Sequence, residues 1–301
     1  MTTWGNAILD PRLNAFRPDL ASIGLKNVVR ADAYAEGQQA LVVVPRAPVR
    51  GSPDPDASLT TEFLFGEPVT VFEDRDDDWV WAQSNVDLYV GYLPAASLGP
   101  AVLGAPDPTP VTAVSAPVFQ RPDIKSPVIA VLPMGAFPIC EPVEGDFAAV
   151  PSLGGHIHRH HLTAQDRSDI AATAAMFLHA PYVWGGRSVA GIDCSGLVQR
   201  VLHAANLPAL RDSDQLVPNV GAPVPFAAAD DGTAQWDRVR GDIVAFPGHI
   251  GIMMDDTHLI HANATAMAVS IDPVDTVARR CAKADGPEGR GVTAVRRLND
   301  E

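Results

Sequence analysis

Short apolar runs punctuated by proline and glycine fill the stretch from Pro45 to Pro151, as in Pro68-Val69-Thr70-Val71-Phe72, and predict short strands between turns. The pattern repeats. Ala47-Pro48-Val49 followed by Pro53-Asp54 returns 69 residues later as Ala116-Pro117-Val118 followed by Pro122-Asp123. Gly66-Glu67-Pro68-Val69 faces Gly135-Ala136-Phe137-Pro138, and Asp78-Trp79 faces Asp146-Phe147. The closing segment 89–98 faces 153–162, five residues tighter, and the second copy has no counterparts of Trp79, Trp81 and Tyr92. Self-similarity of this kind predicts two copies of one small all-β module.

After Leu162 the period changes. Ile170, Ala174, Phe177 and Leu178 fall at helical spacing within residues 169–179, with Asp166 or Ser168 as the expected N-cap. Leu197, Val198, Val201, Leu202 and Ala205 form a second helical stripe that opens at Asp193-Cys194-Ser195-Gly196 and ends before Pro208. Residues 241–246 read as a strand entering a Pro247-Gly248 turn, and 249–254 with 258–263 read as a hairpin around Asp255-Asp256-Thr257. Before Pro45 there is little periodicity until Leu41-Val42-Val43-Val44. The expected layout is therefore an arm over 1–45 packing on the barrels, β-modules over 46–99 and 100–163, the second degenerate, and an α+β domain over 164–301.

A chain of 301 residues agrees with several domains at about 150 residues each. Its 36 acidic and 22 basic side chains leave a formal charge of -14, which disfavours phosphate backbones and anionic membrane surfaces. No apolar run reaches the roughly 18 to 20 residues needed to span a bilayer. Neither nucleic acid nor membrane is an expected partner. The opening Met-Thr-Thr-Trp-Gly-Asn lacks the basic head and apolar core of a secretory signal. Three cysteines, Cys140, Cys194 and Cys281, lie at wide, unpatterned spacings that suit reduced thiols, and the expected location is cytoplasmic.

Cys194 falls on the first turn of its helix, where exposed N–H groups and the positive dipole end favour a thiolate and can receive an oxyanion. The expectation is a thiol pKa lowered from its ordinary value. A free cysteine is by default a small buried apolar residue. Here the preceding Pro181-Tyr182-Val183-Trp184-Gly185-Gly186-Arg187 would make a poor core but a good cleft wall. Cys140, in an expected strand, and Cys281 have no such setting and read as structural.

A thiol nucleophile needs a base, and the base an orienting partner. If the hairpin pivots at Asp255, His249 and His261 oppose one another on one face. His249, behind the Pro-Gly turn, is the expected general base and His261 the residue that fixes its tautomer, with Asn263 in reserve. His156, His158, His160 and His161 would place three rings on one strand face, but no acid or cysteine completes a site and Arg159 repels a cation, so no metal and no cofactor are expected. The acidic run 73–78 reads as a solvated loop, and 227–235 as a surface insertion.

Tyr182-x-Trp-Gly-Gly, Asp193-Cys194-Ser195-Gly196, Gly241-Asp242-Ile-Val, His249-Ile-Gly-Ile and Ile260-His261-Ala262, in this order, resemble the NlpC-type papain-like cysteine peptidases of bacterial cell-wall metabolism. The Gly66-Glu67 turn, the Trp79 and Trp81 strand and the closing Gly91-Tyr92-Leu93-Pro94 resemble bacterial SH3-like barrels in tandem. The resemblance implies two small all-β SH3-like barrels followed by an α+β papain-like cysteine peptidase domain. It implies cleavage between the γ-carboxyl of D-glutamate and a diamino acid in murein stem peptides, with Cys194, His249 and His261 catalytic. In relatives of this layout the first barrel helps select peptides with a free L-alanine amine. Asp193 matches the acid that meets that amine, Ser195 lies in the same motif, and Tyr182 matches a cleft tyrosine. Glu67 and Tyr89 are the barrel candidates for the ammonium, and Arg187 for a substrate carboxylate. The expected role is recycling of murein peptides. The alternatives are an exported wall-remodelling hydrolase, a non-catalytic wall-peptide binding protein, or acyl transfer to an amine.

Overall fold

In a computed structural model, which describes residues 9–101, 107–143, 145–164, 166–286 and 289–298, the chain divides into two units, Met1–Thr163 and Ala164–Glu301. In the first, β1 (Leu20–Ser22) and β2 (Ala33–Ala35) form a parallel pair. Next come β3 (Gln38–Val42), β4 (Arg46–Arg50), β5 (Leu59–Leu64), β6 (Pro68–Asp74), β7 (Trp79–Ser84), β8 (Val90–Pro94) and β9 (Leu98–Pro100), in the order β5-β4-β8-β7-β6-β3-β9. Alternate residues such as Val49, Phe63, Val69, Val80 and Leu93 point inward to one core.

The arm is shorter than the sequence suggests. β3 pairs with both β6 and β9, so this sheet begins at Gln38 and not at residue 46. The true arm lies on the sheet's surface: Val90 donates its N–H to the Arg12 carbonyl at 2.8 Å, and the Arg17 guanidinium sits 4.3 Å from the Trp81 ring centroid. Arg17 also pairs with Glu73 at 2.7 Å, so part of the acidic run is tied down and not simply solvated.

A second sheet holds β10 (Ser115–Phe119), β11 (Val128–Pro133), β12 (Glu141–Pro142), β13 (Phe147–Val150) and β14 (Gly155–His158), ordered β11-β10-β14-β13-β12 around Val118, Leu132, Val150 and Ile157. The 69-residue offset survives in the hydrogen bonds. Gly66 N–H donates to Val42 O at 2.8 Å and Gly135 N–H to Val111 O at 2.9 Å; Val42 N–H donates to Glu67 O at 3.1 Å and Val111 N–H to Ala136 O at 2.9 Å. Ala47 pairs with Phe63 as Ala116 pairs with Leu132, and a register shift follows Val49 as one follows Val118. Gly66 and Gly135 take φ of +78° and +81°, left-handed values that a side chain would strain. Cys140 lies before β12 and not in a strand, and β14 stops at His158, so the later histidines occupy a 3-10 turn instead of one strand face.

The second unit opens with α1 (Ile170–Ala175), capped by Asp169, whose Oδ1 accepts the Ala172 N–H at 2.9 Å. The helix does not reach residue 179. His179 has φ +68°, and Ala180 precedes Pro181, whose ring disfavours a helical residue before it. The chain instead joins the sheet edge, His179 donating to Val269 O at 3.0 Å. There follow β15 (Arg187–Ser188), β16 (Gly191–Ile192), α2 (Cys194–Ala204), α3 (Ser213–Asn219), β17 (Ala222–Pro223), β18 (Ala227–Ala228), β19 (Ala234–Gln235), β20 (Ile243–Phe246), β21 (His249–Met253), β22 (His258–Asn263), β23 (Ala268–Pro273), α4 (Val274–Asp285) and β24 (Ala294–Arg297).

Six of these strands make one antiparallel sheet, β17-β24-β20-β21-β22-β23, and β15 with β16 and β18 with β19 make small hairpins. Val244, Phe246, Met253 and Leu259 pack with Val274 and Val277 of α4. The alternate residues Ile250, Ile252 and Ile260 are equally buried, and α1 and α2 pack on β21 and β22. Ala234 joins the core, so the 227–235 segment is an anchored hairpin and not a pure surface insertion. Among the described residues no helix is long and apolar enough to cross a membrane.

Candidate active site

α2 begins where Asp193 caps it. One carboxylate oxygen, Oδ1, accepts the Gly196 N–H at 2.7 Å and Oδ2 accepts the Gly185 N–H at 2.8 Å. Arg211, from the loop before α3, closes the arrangement by donating to Oδ1 at 3.0 Å, to Oδ2 at 2.6 Å and to Ser195 Oγ at 2.8 Å. The carboxylate expected to meet a substrate amine is thus fully engaged by protein donors. Arg211 escaped the sequence reading because it lies outside any periodic segment or motif.

Cys194, on the first turn, is only 7% exposed, and its sulfur receives the N–H groups of Ser195 and Ile250. Ile250 follows His249, which places the thiol at the start of β21. Burial pushes the thiol pKa up to about 12, with the Asp193 carboxylate adding to the rise, while Arg211 and the two N–H groups oppose it. This reverses the expected lowering. The helix end is present, but its positive pole is offset by Asp193, and exclusion of water outweighs the dipole.

His249 Nε2 lies 2.7 Å from His261 Nδ1. Burial holds His249 far below its ordinary range, to about 3, and His261 and Arg280 act in the same direction. Burial thus works against the charged form of both the thiol and the imidazole. The register Ile252↔Ile260 and Met253↔Leu259 centres the turn on Asp256 and not Asp255. Continued outward, it sets His249 across from Asn263 with His261 diagonal to it on the same face, a distance that two rings span.

Beyond His261 the structure adds Asp272 and Ser270, which the sequence did not single out, and joins them to the reserve candidate Asn263. His261 Nε2 meets Asp272 Oδ2 at 3.0 Å, Ser270 Oγ donates to Asp272 Oδ2 at 2.8 Å, and Asn263 Nδ2 donates to Ser270 Oγ at 2.8 Å. The signal was the polar alternation Ser270-x-Asp272, but only the β22–β23 register, with His261 opposite Ser270, aligns it with the imidazole.

Tyr182 approaches from the loop before β15, its N–H donating to Met267 O at 2.9 Å. Its phenol is raised to about 12 by burial and then by Cys194 and Asp193, which locates it beside the nucleophile. Trp184, 64% exposed, extends the same loop as an open aromatic wall. Three other candidates are placed differently from expectation. Arg187 is fully buried in the β15–β16 hairpin and not open to a substrate carboxylate. In the N-terminal unit Glu67 is fully buried and Tyr89 packs in the first core. His158 lies 6.5 Å from His160 and 6.1 Å from His161 by ring centroids.

A thiol at a helix tip, beside a strand start where one imidazole is held by a second, is an arrangement suited to a cysteine peptidase, and the antiparallel sheet presents both rings from adjacent strands. Residues 179–281 match the NlpC/P60 family, and residues 49–98 match the bacterial dipeptidyl-peptidase Sh3 domain. The chain thus carries an SH3 domain followed by a peptidase domain of the NlpC/P60 type. It is similar to dipeptidyl-peptidase 6 of Lysinibacillus sphaericus, 26% identical over 263 residues that span 78% of this chain and 92% of that one. It is also similar to the gamma-D-glutamyl-L-lysine dipeptidyl-peptidase of Bacillus cereus, 25% identical over 72% of this chain and 71% of that one. The crystal structure of an NlpC/P60 family protein from Bacillus cereus shares the fold, with a TM-score of 0.66 at 21% identity over 87% of this chain and 99% of that one.

Proposed function

We propose that this chain is an endopeptidase that cuts the γ-D-glutamyl-diamino acid bond of peptidoglycan stem peptides bearing a free N-terminal L-alanine, in cytoplasmic recycling of murein peptides. The observation that carries the reading is the His249–His261 pair, 2.7 Å apart, at the strand start whose next N–H binds the Cys194 sulfur. The relative named for a γ-D-glutamyl-L-lysine bond supports the bond type. Free Cys140, Cys194 and Cys281 agree with a reducing compartment. The second β-sheet is read as a degenerate SH3-like barrel, supported by the hydrogen bonds it repeats from the first.

In the first half-reaction the Cys194 sulfur attacks the γ-carbonyl carbon while its proton passes to His249. Because burial disfavours both charged forms, the proton leaves with the attack and not ahead of it. Tyr182, still protonated near neutrality, donates to the developing oxyanion. The His249 imidazolium, held by His261, then protonates the leaving amine. Water releases the acyl group with His249 as base.

Incubation with L-alanyl-γ-D-glutamyl-diaminopimelate tests this, and no release of L-alanyl-D-glutamate refutes it. Intact sacculi should be cut far more slowly than the free peptide. Equal rates would move the enzyme to wall remodelling.

A further inference from the structure

We infer that Asp272 is a positioning residue of the peptidase, whose carboxylate dictates the proton order along His261 and His249 and so leaves the His249 Nδ1 lone pair bare for the Cys194 proton. The inference rests on the cysteine-peptidase reading of the site but not on the identity of the peptide.

Two proton orders fit a His249 Nε2 that lies 2.7 Å from His261 Nδ1. In one, His261 carries its proton on Nε2, accepts from His249 Nε2–H at Nδ1, and His249 presents an empty Nδ1. In the other, His261 carries its proton on Nδ1 and donates to His249 Nε2, so that His249 must hold its own proton on Nδ1 and cannot serve as base. The group at His261 Nε2 decides between them. A carboxylate accepts only, and Asp272 Oδ2 stands 3.0 Å from that nitrogen. The competing donor, the Asn263 amide, is 3.3 Å away and has a better partner in Ser270 Oγ at 2.8 Å. Charge-assisted hydrogen bonds are roughly twice as strong as neutral ones, so the first order prevails.

The carboxylate is itself aimed, because Ser270 Oγ donates to the same Oδ2 at 2.8 Å. Two arms thus converge on the carboxylate: Asn263 donates to Ser270 and Ser270 to Asp272 from one side, and His249 donates to His261 and His261 to Asp272 from the other. Asp272 also favours the protonated form of His261, whereas Arg280 of α4 opposes protonation of both imidazoles. Cys194 of α2 lies against Ile250, the residue after His249, with Asp193 and Arg211 as its charged neighbours.

Three measurements on the full chain test this. In the wild-type protein at neutral pH, the imidazole nitrogen spectrum should show His249 and His261 both protonated on Nε2; a proton on His261 Nδ1 overturns the inference without any substrate. Asp272→Asn should slow iodoacetamide alkylation of Cys194 at pH 7 at least about ten-fold, the equivalent of one pKa unit. It should also lower kcat more than it raises KM and move the acid limb of the kcat profile to lower pH, with partial rescue by Asp272→Glu. Alkylation of a folded Asp272→Asn at the wild-type rate overturns the inference. Should that variant fail to fold, Ser270→Ala, which keeps the charge and removes one aiming bond, should slow alkylation a few-fold, and an unchanged rate would count against it.

Discussion

Replacing Arg211 with methionine strips the Asp193 carboxylate of its countercharge inside the protein. The side chains are 1% and 7% exposed, so solvent screens little of the interaction. Breaking a buried pair from one side costs about 3 to 5 kcal/mol, because a charge remains without compensation. In a unit of this size each kcal/mol moves the melting temperature by about 3 to 4 °C, so the peptidase transition should fall by about 10 to 20 °C. Asp193→Asn keeps the helix cap, since asparagine caps as well as aspartate, but strands Arg211 instead. The double variant should therefore lose clearly less than the two single losses summed, by about 2 kcal/mol or more. Thermal unfolding followed by calorimetry reads all three. The thiol supplies an independent sign: Asp193 raises the Cys194 pKa and Arg211 lowers it, so alkylation should speed up in Asp193→Asn and slow in Arg211→Met. An Arg211→Met protein that melts within about 2 °C of wild type, or a double variant as damaged as the sum, refutes the reasoning.

Cys194→Ala should abolish peptide hydrolysis while keeping a cooperative melting transition, since it removes a single buried sulfur; residual turnover would point to another nucleophile. Gly196→Ala would set a Cβ 2.4 Å from the Gly186 carbonyl oxygen and should lower stability by about 1 to 3 kcal/mol, read by denaturant unfolding. The peptidase unit should lose stability on acidification. His249 is held neutral with a folded pKa near 3, well below its unfolded value, so its contribution is full above about pH 6.5 and drains as pH falls toward 3, at up to about 1.4 kcal/mol per pH unit. His249→Asn should flatten that slope, which denaturation midpoints between pH 4 and 7 would detect.

Much of this architecture is legible along the chain. The period-2 runs and turn glycines of 45–151 announce strands, and the 69-residue repeat reappears bond for bond because a turn such as Gly66 or Gly135 imposes the same local geometry wherever its residues recur. The stripe from Leu197 to Val201 with Cys194 at its head marks a nucleophile helix, and strand parity alone puts His249 and His261 on one face. Local chemistry decides these features, so local sequence reports them. Other features lay beyond its reach. Arg211 finds Asp193, and Asp272 finds His261, only once loops and register bring separate segments together. Glu67 and Arg187, which the motifs offered as partners of substrate charges, are fully buried. The helix end that promised an ionised sulfur is overruled by the neighbouring carboxylate and the loss of water around Cys194. Charge, burial and proton order are properties of a surrounding volume, and that volume exists only after distant parts of the chain have packed around it.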